Sequence, residues 1–236
     1  MEKYRAMIHD AREDGRTVLT EVESKQIISE EGIEVVETRL AMTRNEAVAI
    51  AEEIGFPVAL KTAAPGIIHK SDLGGVRLNL RSGAAVGRAY SELVKLGTQS
   101  GPSKRKSGVS VQKMAPAGVE VIIGLSQDPQ FGPVMIFGLG GVFVEMLKDV
   151  SFRVVPLTAR DARLMIEEIR GYPLLLGYRG QDAVDIQALE DIVLKVSRLG
   201  RKFPDIRELD LNPVIAWSNG AMAVDARVIL EEPSKN

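Results

Sequence analysis

The sequence predicts an α/β protein in two parts, and three observations predict it. Strand-like and helix-like stretches alternate over residues 20–96, the pattern of an α/β chain. After a polar, basic loop at 97–108 the character changes to dense β, with short apolar runs divided by glycine and proline. The composition, 45% hydrophobic and 26% charged over 236 residues, is that of a soluble chain able to bury a sizeable core.

Each element has a local reason. Residues 1–20 are of mixed charge with little periodicity, and no element is predicted there. Thr20 and Glu23 have the spacing of a capping box, so a helix starts at 20, turns Ile27 and Ile28 inward and stops at Gly32. Ile33 to Leu40 alternates as a strand. Thr43 and Glu46 repeat the box, and a helix runs to Gly55 with Val48, Ile50, Ala51 and Ile54 inward. Phe56 to Lys61 is an apolar strand with proline near its start, where the missing N–H is tolerated. Val76–Leu80 is a strand, and Ala84–Leu96 a helix with Tyr90, Leu93 and Val94 inward.

In the second part, strands are predicted at Val109–Met114, Val119–Leu125, Val134–Phe137, Val142–Leu147 and Arg153–Leu157. Helices follow over 159–169 and 184–199, the second with Ile186, Leu189, Ile192, Val193, Val196 and Leu199 at helical spacing. A hairpin closes the chain: Leu209–Trp217, the turn Ser218-Asn219-Gly220, then Ala221–Asp225, because Asn and Gly tolerate positive φ.

Composition also excludes. A net charge of -2 gives no global basic field for nucleic acid or an acidic membrane. Zero cysteine removes disulfides, thiolate metal sites and a cysteine nucleophile, and two histidines are too few for a histidine-rich zinc site. The start, Met1-Glu2-Lys3-Tyr4-Arg5, is charged, and the most apolar stretch, 133–144, is too short to span a bilayer. A cytoplasmic protein is expected.

Glycine-rich phosphate loops come first among the motifs. No Walker sequence occurs, and Gly138-Leu139-Gly140-Gly141 lies between strands instead of opening a helix, so a dinucleotide fingerprint fails its context. A different nucleotide pattern emerges. Lys61 ends an apolar strand, where a buried stem carries an ammonium toward a phosphate; a solvated strand end explains it as well. His69-Lys70-Ser71-Asp72-Leu73-Gly74-Gly75-Val76 brings two glycines into a strand, whose bare amides suit phosphate oxygens, or simply make a hairpin turn. Val111-Gln112-Lys113-Met114 ends a strand, whose edge offers main-chain groups to an adenine, and Glu120 follows on the next strand, where a carboxylate accepts ribose hydroxyls.

The last cluster is Glu208-Leu209-Asp210-Leu211-Asn212-Pro213 with Val224-Asp225-Ala226. Residues 208, 210 and 212 of a strand share one face, and pairing across the hairpin joins Asp225 to Asn212. Oxygen ligands from facing strands suit Mg²⁺, which keeps waters and substrate phosphates among its ligands. Leu209, Leu211, Val214 and Ile215 mark the neighbourhood as buried.

In this order these motifs resemble the ATP-grasp β subunit of ADP-forming acetyl-CoA synthetases, in the NDP-forming acyl-CoA synthetase superfamily, over residues 10–232. The resemblance implies an ATP-grasp fold, α+β, in which two subdomains clasp the nucleotide: 21–108 as the first, 1–20 with 109–236 as the second. It implies conversion of acyl-CoA, ADP and phosphate to an organic acid, ATP and CoA through phosphohistidine. Lys61, Gly74 and Gly75 would hold phosphates; Gln112, Lys113 and Met114 would form the adenine hinge, and Glu120 would contact the ribose of ATP or ADP. Asn212 and Asp225 would bind Mg²⁺, and Asp210 would orient the phosphohistidine. His69 matches a histidine proposed in the acetyl-CoA branch as a second phosphate carrier. The chain ends without a resemblance to a CoA-binding domain. An α subunit that binds CoA and carries the phosphohistidine loop is therefore expected as partner, in an α2β2 assembly, with 138–144 and 172–178 as candidate interfaces. Two rival readings, a free-standing ATP-grasp carboxylate ligase and a nucleotide-sensing module, lack an acid-substrate pocket and a use for His69 and Asp210 respectively.

Overall fold

The computed structural model describes residues 2–63, 74–99, 108–141, 149–178, 180 and 182–232. The chain opens on α1 (Glu2–Glu13) and α2 (Glu21–Glu30). Then come β1 (Thr38–Ala41), α3 (Arg44–Ile54), β2 (Val58–Thr62), β3 (Val76–Leu80), α4 (Gly83–Gln99) and β4 (Val109–Lys113). The remainder is β5 (Val119–Asp128), β6 (Gly132–Leu139), β7 (Val150–Val154), α5 (Ala159–Glu167), α6 (Tyr172–Leu175), α7 (Ile186–Lys202), β8 (Ile206–Trp217), β9 (Gly220–Ala223) and β10 (Arg227–Leu230). Among the described residues no helix is long and apolar enough to cross a membrane.

Two compact units result: a small one, Val36–Ala115, and a large one made of Met1–Val35 and Pro116–Asn236. The divisions fall at 35/36 and 115/116, where the sequence reading drew 20/21 and 108/109. Pairing explains the difference. β4 hydrogen-bonds to β1 and β2 in the small sheet, while the Ser24 hydroxyl of α2 accepts the Val228 N–H of β10 at 3.1 Å.

The small unit is a four-stranded antiparallel sheet in the order β1-β4-β2-β3. Strand alternation sends Val58, Leu60, Val109 and Val111 to one face, where they bury against Ala47, Ala51 and Ile54 of α3 and Val86, Ala89 and Leu93 of α4. α3 starts in the predicted capping box, with Thr43 and Glu46 each satisfying the other's backbone amide. Its stop, Gly55, has φ +85°, a conformation that favours glycine.

The large unit is a six-stranded antiparallel sheet, β10-β8-β5-β6-β7 with β9 on β8. Antiparallel pairing in both units gives the α+β form of the predicted class. One face is covered by helices: Leu189, Ile192, Val193, Val196 and Leu199 of α7 join Ile123, Leu125, Met135 and Phe137 in a single core. The N-terminal segment belongs to this unit. Leu19 donates its N–H to Val228 O at 3.0 Å, and Thr17 O accepts from Leu230 at 2.7 Å.

Helix α1, where no element is predicted, buries Tyr4, Ile8 and Ala11 on one stripe, with Tyr4 stacked on Phe203 at 3.7 Å between ring centroids. The predicted strand at 142–147 lies outside the described residues, and the one predicted at 153–157 is observed at 150–154. The final hairpin turns on Ser218-Asn219, since Trp217 pairs with Gly220, and neither turn residue has positive φ. Gly220 serves instead as a seat for the Trp217 ring, which a Cβ there would meet at 2.9 Å.

Candidate functional site

The expected site residues fall on both units; in the small unit Lys61 and Gln112 share the sheet face away from the helices, while Lys113, the register partner of Val58, alternates to the other face. In the small unit that face carries Ala59 and Lys61 of β2 opposite Gln112 and Ser110 of β4, by register. All three polar side chains are buried: Lys61 is 5% exposed, Gln112 3% and Ser110 2%. Burying an ammonium costs several kcal/mol or more unless it is paired, so a lysine held there has been placed, not left over. Sequence reasoning found Lys61 and Gln112 and missed Ser110, whose one signal is its alternation with Val109 and Val111.

The hinge reading needs one correction. β4 is an interior strand, not an edge, so its main chain is largely committed to β1 and β2. The Lys113 N–H donates to Glu37 O at 3.1 Å and the Met114 N–H to Pro57 O at 3.4 Å. Main-chain groups free for a base must come from carbonyls at the strand's end or from the segment after Met114. Gly74 has φ +66°, and Gly75 O accepts the Thr62 N–H at 2.8 Å, which closes the entry to β3 beside Lys61. Gly74 owes its residue type to that backbone, because a Cβ would meet nothing within 4 Å. His69 lies outside the described residues.

In the large unit the register brings the acidic cluster together. Ala223 faces Val214 on one ladder and Arg227 faces Asp210 on the other, in the same register. Asp225 and Asn212 therefore occupy opposite positions between the two ladders, as the sequence predicts. A β-bulge sits at this point: Val121 pairs with Val214 but Ile123 with Leu211, so Asn212 and Pro213 together oppose one residue of β5. Bulges of this kind re-aim side chains and recur beside active sites. The Asp225 carboxylate accepts the Ala226 N–H at 2.9 Å, and Val224 donates to Pro213 O at 2.9 Å, which fixes the corner.

Asp210 is half-buried, with Leu209 and Leu211 fully buried on either side; Ile215 is only half-buried, because the bulge shifts the alternation by one. The Arg227 guanidinium lies 3.5 Å from the Asp210 carboxylate, a cross-strand pair that sequence reasoning missed because β10 was not predicted. Glu120 stands exposed on the same face and is backed by glycine. Gly140 donates its N–H to Glu120 O at 2.7 Å, and a Cβ on Gly140 would meet Glu120 Cβ at 2.9 Å. Gly141, at φ +62°, lies where a Cβ would be 3.4 Å from the Glu120 carboxylate.

The donor set fits a hard cation bound jointly with phosphate. Asn212 and Asp225 supply two oxygens, and no group of three or more His, Asp or Glu able to hold a metal occurs among the described residues. A separate cleft of about 430 Å³ on the small unit, bordered by Arg44, Val48, Glu52 and Gly83, contains none of the expected site residues. At the candidate interfaces, Leu175 is core while Leu176 and Tyr178 are exposed, and 142–144 lie outside the described residues.

These features define a class, and comparison with known proteins defines it independently. The model of the ATP-grasp domain family matches residues 10–230. Subunit β of acetate–CoA ligase [ADP-forming] I from Pyrococcus furiosus is 46% identical over 97% of this chain and 98% of its own. An acetyl-coenzyme A synthetase 1 from Candidatus Korarchaeum cryptofilum, solved with coenzyme A, Ca-AMPCP and HgCl⁺, superposes with a TM-score of 0.92 at 50% identity, covering 96% of this chain and 99% of that one. A second structure of that synthetase holds coenzyme A and Mg-AMPPCP, with a phosphohistidine segment pointing towards the nucleotide-binding site; its TM-score is 0.84 at 48% identity, over 97% and 100% of the two chains. The chain belongs to the ATP-grasp family and, within it, to the β subunits of ADP-forming acetate–CoA ligases.

Proposed function

We propose that this chain is the nucleotide-binding β subunit of an ADP-forming acyl-CoA synthetase, making ATP and an organic acid from acyl-CoA, ADP and phosphate with a CoA-binding α subunit in an α2β2 assembly. The end-to-end match to β subunits of such ligases carries the reading. The roles divide by unit. On the small unit Lys61, with Gly74 and Gly75, holds nucleotide phosphates, and Gln112, Lys113 and Met114 border the base. On the large unit Glu120 accepts the ribose hydroxyls, Asn212 and Asp225 hold Mg²⁺, and Asp210 meets the phosphohistidine of the α subunit. His69 receives the phosphoryl group from that histidine in a relay within this chain.

The chemistry asked of these residues is modest. Phosphoryl transfer needs positioning and charge neutralisation more than covalent help. A buried ammonium at Lys61 supplies fixed positive charge in a low dielectric, where it acts more strongly than in water. Mg²⁺ on Asn212 and Asp225 would offset charge on the nucleotide phosphates. The Asp210 carboxylate, held by Arg227, accepts an N–H of the α-subunit imidazole and favours the ring's charged, phosphorylated form.

The test mixes this chain with its α subunit, acetyl-CoA, ADP, phosphate and Mg²⁺ and measures ATP. ATP appears with both subunits and with neither alone; formation by this chain alone would refute the subunit assignment. With ³²P-labelled α subunit, Asp210→Asn slows transfer to ADP by about 100-fold, and His69→Ala blocks it. Normal transfer in the latter would leave His69 without the relay.

A further inference from the structure

We infer that Arg227 binds the phosphoryl group that the α subunit's phosphohistidine carries to this unit; the inference rests on the subunit reading proposed above and asks of Asp210 only the ion pair it already makes. Alternation along β10 buries Val228 and Leu230 in the core and turns Arg227 to the opposite face of the sheet. Its register partner there is Asp210, and Glu208 lies two residues before Asp210 along β8. Asp225 lies two residues before Arg227, and Glu120 alternates to the same face from β5. Carboxylates therefore predominate. Among the described residues, Arg227 is the one cation at the paired positions of β5, β8 and β10. Arg207 stands beyond Glu208, at an irregularity of register, and ion-pairs that neighbour at 3.4 Å. A phosphoryl group carries a charge of about −1.5 to −2. On this face it meets repulsion unless a cation receives it.

The way Arg227 is held suits that task. Arginines that fix structure in this chain bond tightly: Arg12 donates to the Asp205 carboxylate at 2.8 Å, and Arg16 to Glu23 through two nitrogens at 3.0 and 3.1 Å. Arg227 instead stands 3.5 Å from the Asp210 carboxylate, beyond the roughly 2.7–2.9 Å of a charge-assisted hydrogen bond. Its Nε is buried and meets no hydrogen-bond partner. Arg12 shares an unpartnered Nε, but its terminal nitrogen is committed to Asp205. The Arg227 side chain is 31% exposed, so a ligand can reach the guanidinium. A guanidinium presents its N–H groups as a flat fork that matches two phosphoryl oxygens, which an ammonium does not. Asp225 precedes Arg227 by two residues and Asn212 follows Asp210 by two, so the pair proposed for Mg²⁺ lies one row away, about 6.6 Å along the strands. The contact forms while phosphorus is still bonded to the α subunit's histidine, ahead of the transfer to His69 proposed above. No bond is made or broken at Arg227.

The experiment mixes ³²P-labelled α subunit with this chain, ADP and Mg²⁺, and follows the loss of label from α in a single turnover. The variants are Arg227→Met, Arg227→Lys, Asp210→Asn, and Arg227→Met combined with Asp210→Asn. Arg227→Met slows the loss of label by about 100-fold, and Arg227→Lys, which keeps the charge without the fork, by about 10-fold. ADP affinity and co-elution with α hold, and the melting temperature stays within about 4 °C. A residue that acted only by holding Asp210 would add nothing once Asp210 is changed. In the Asp210→Asn background Arg227→Met is expected to cost at least a further 10-fold or so; no further cost overturns the inference. An unmodified rate in Arg227→Met, or in an Arg227→Lys chain that melts normally, overturns it alone. Slow loss of label accompanied in both variants by lost ADP affinity or lost co-elution also overturns it, since Arg227 would then serve the fold. No loss of label with the unmodified chain overturns the subunit reading and this inference with it.

Discussion

Glu120, proposed above as the ribose contact, is fixed from behind by two residues without side chains. The Gly140 N–H holds its carbonyl, and the bare Gly140 Cα leaves room for its Cβ. Gly140→Ala forces a contact of 2.9 Å with Glu120 Cβ and swings the carboxylate off its line. Losing a hydrogen bond to a charged group is worth about 1.5–3 kcal/mol, a factor of roughly 10–100. Gly140→Ala is therefore expected to raise the KM for ADP about 10-fold and to leave the KM for 2′,3′-dideoxy-ADP unchanged, the same pattern expected of Glu120→Ala; steady-state kinetics on the two nucleotides checks it. At this scale the sequence was readable where chemistry is unusual for its place: a lysine ending an apolar strand, adjacent glycines, and an acidic alternation. Gly140 was legible as a glycine but not as the support of Glu120, because the contact joins residues that only the β5–β6 register brings together. Ser110 and Arg227 went unread for the same reason.

Among elements, α2 shows how local signals and distant ones combine. Its capping box, Thr20 with Glu23, was legible because both partners lie within four residues, and the structure forms both hydrogen bonds. The Arg16 guanidinium then grips the Glu23 carboxylate through two nitrogens at 3.0 and 3.1 Å, a contact with no local signature. Burial works to raise the Glu23 carboxyl, but hydrogen bonds from Arg16 and Thr20 outweigh it, and its pKa lies below the ordinary value. A carboxyl depressed in the folded state stabilises above its unfolded pKa of about 4.3, and that contribution is lost as pH falls through the folded value. Glu23→Gln is thus expected to lower stability at pH 7 and to flatten its decline below about pH 4, read from urea midpoints across pH. Thr20→Ala is expected to cost about 1 kcal/mol at pH 7. Helix α1 was missed where α2 was found because its stripe is narrow, three buried side chains among mainly polar neighbours, and no cap marks its start. β10 was missed because a four-residue run beside the hairpin gives no periodicity of its own.

For the whole molecule, the order of the chain predicts something neither unit predicts alone. The small unit is one continuous segment, 36–115, while the large unit is assembled from both sides of it. Each has a hydrophobic core of its own with no buried residue in common. The ends that flank the segment are held within the large unit: Val35 bridges to Ala223, and Val119 pairs with Ala216 at the start of β5. Ala223 and Ala216 lie on adjacent strands, so those anchors sit a few strand spacings apart, each about 4.8 Å. A linker of about eight Gly/Ser residues, with a mean span near 15 Å, can replace the segment. Domain insertions at such points tolerate excision in either direction. Residues 36–115 alone are therefore expected to melt cooperatively in calorimetry, and the large unit closed by the linker to keep its own transition. A large unit that unfolds on excision, although its core and the Leu19–Val228 and Leu230–Thr17 bonds are intact, would mean that its stability depends on the inserted segment and that the chain folds as one cooperative body.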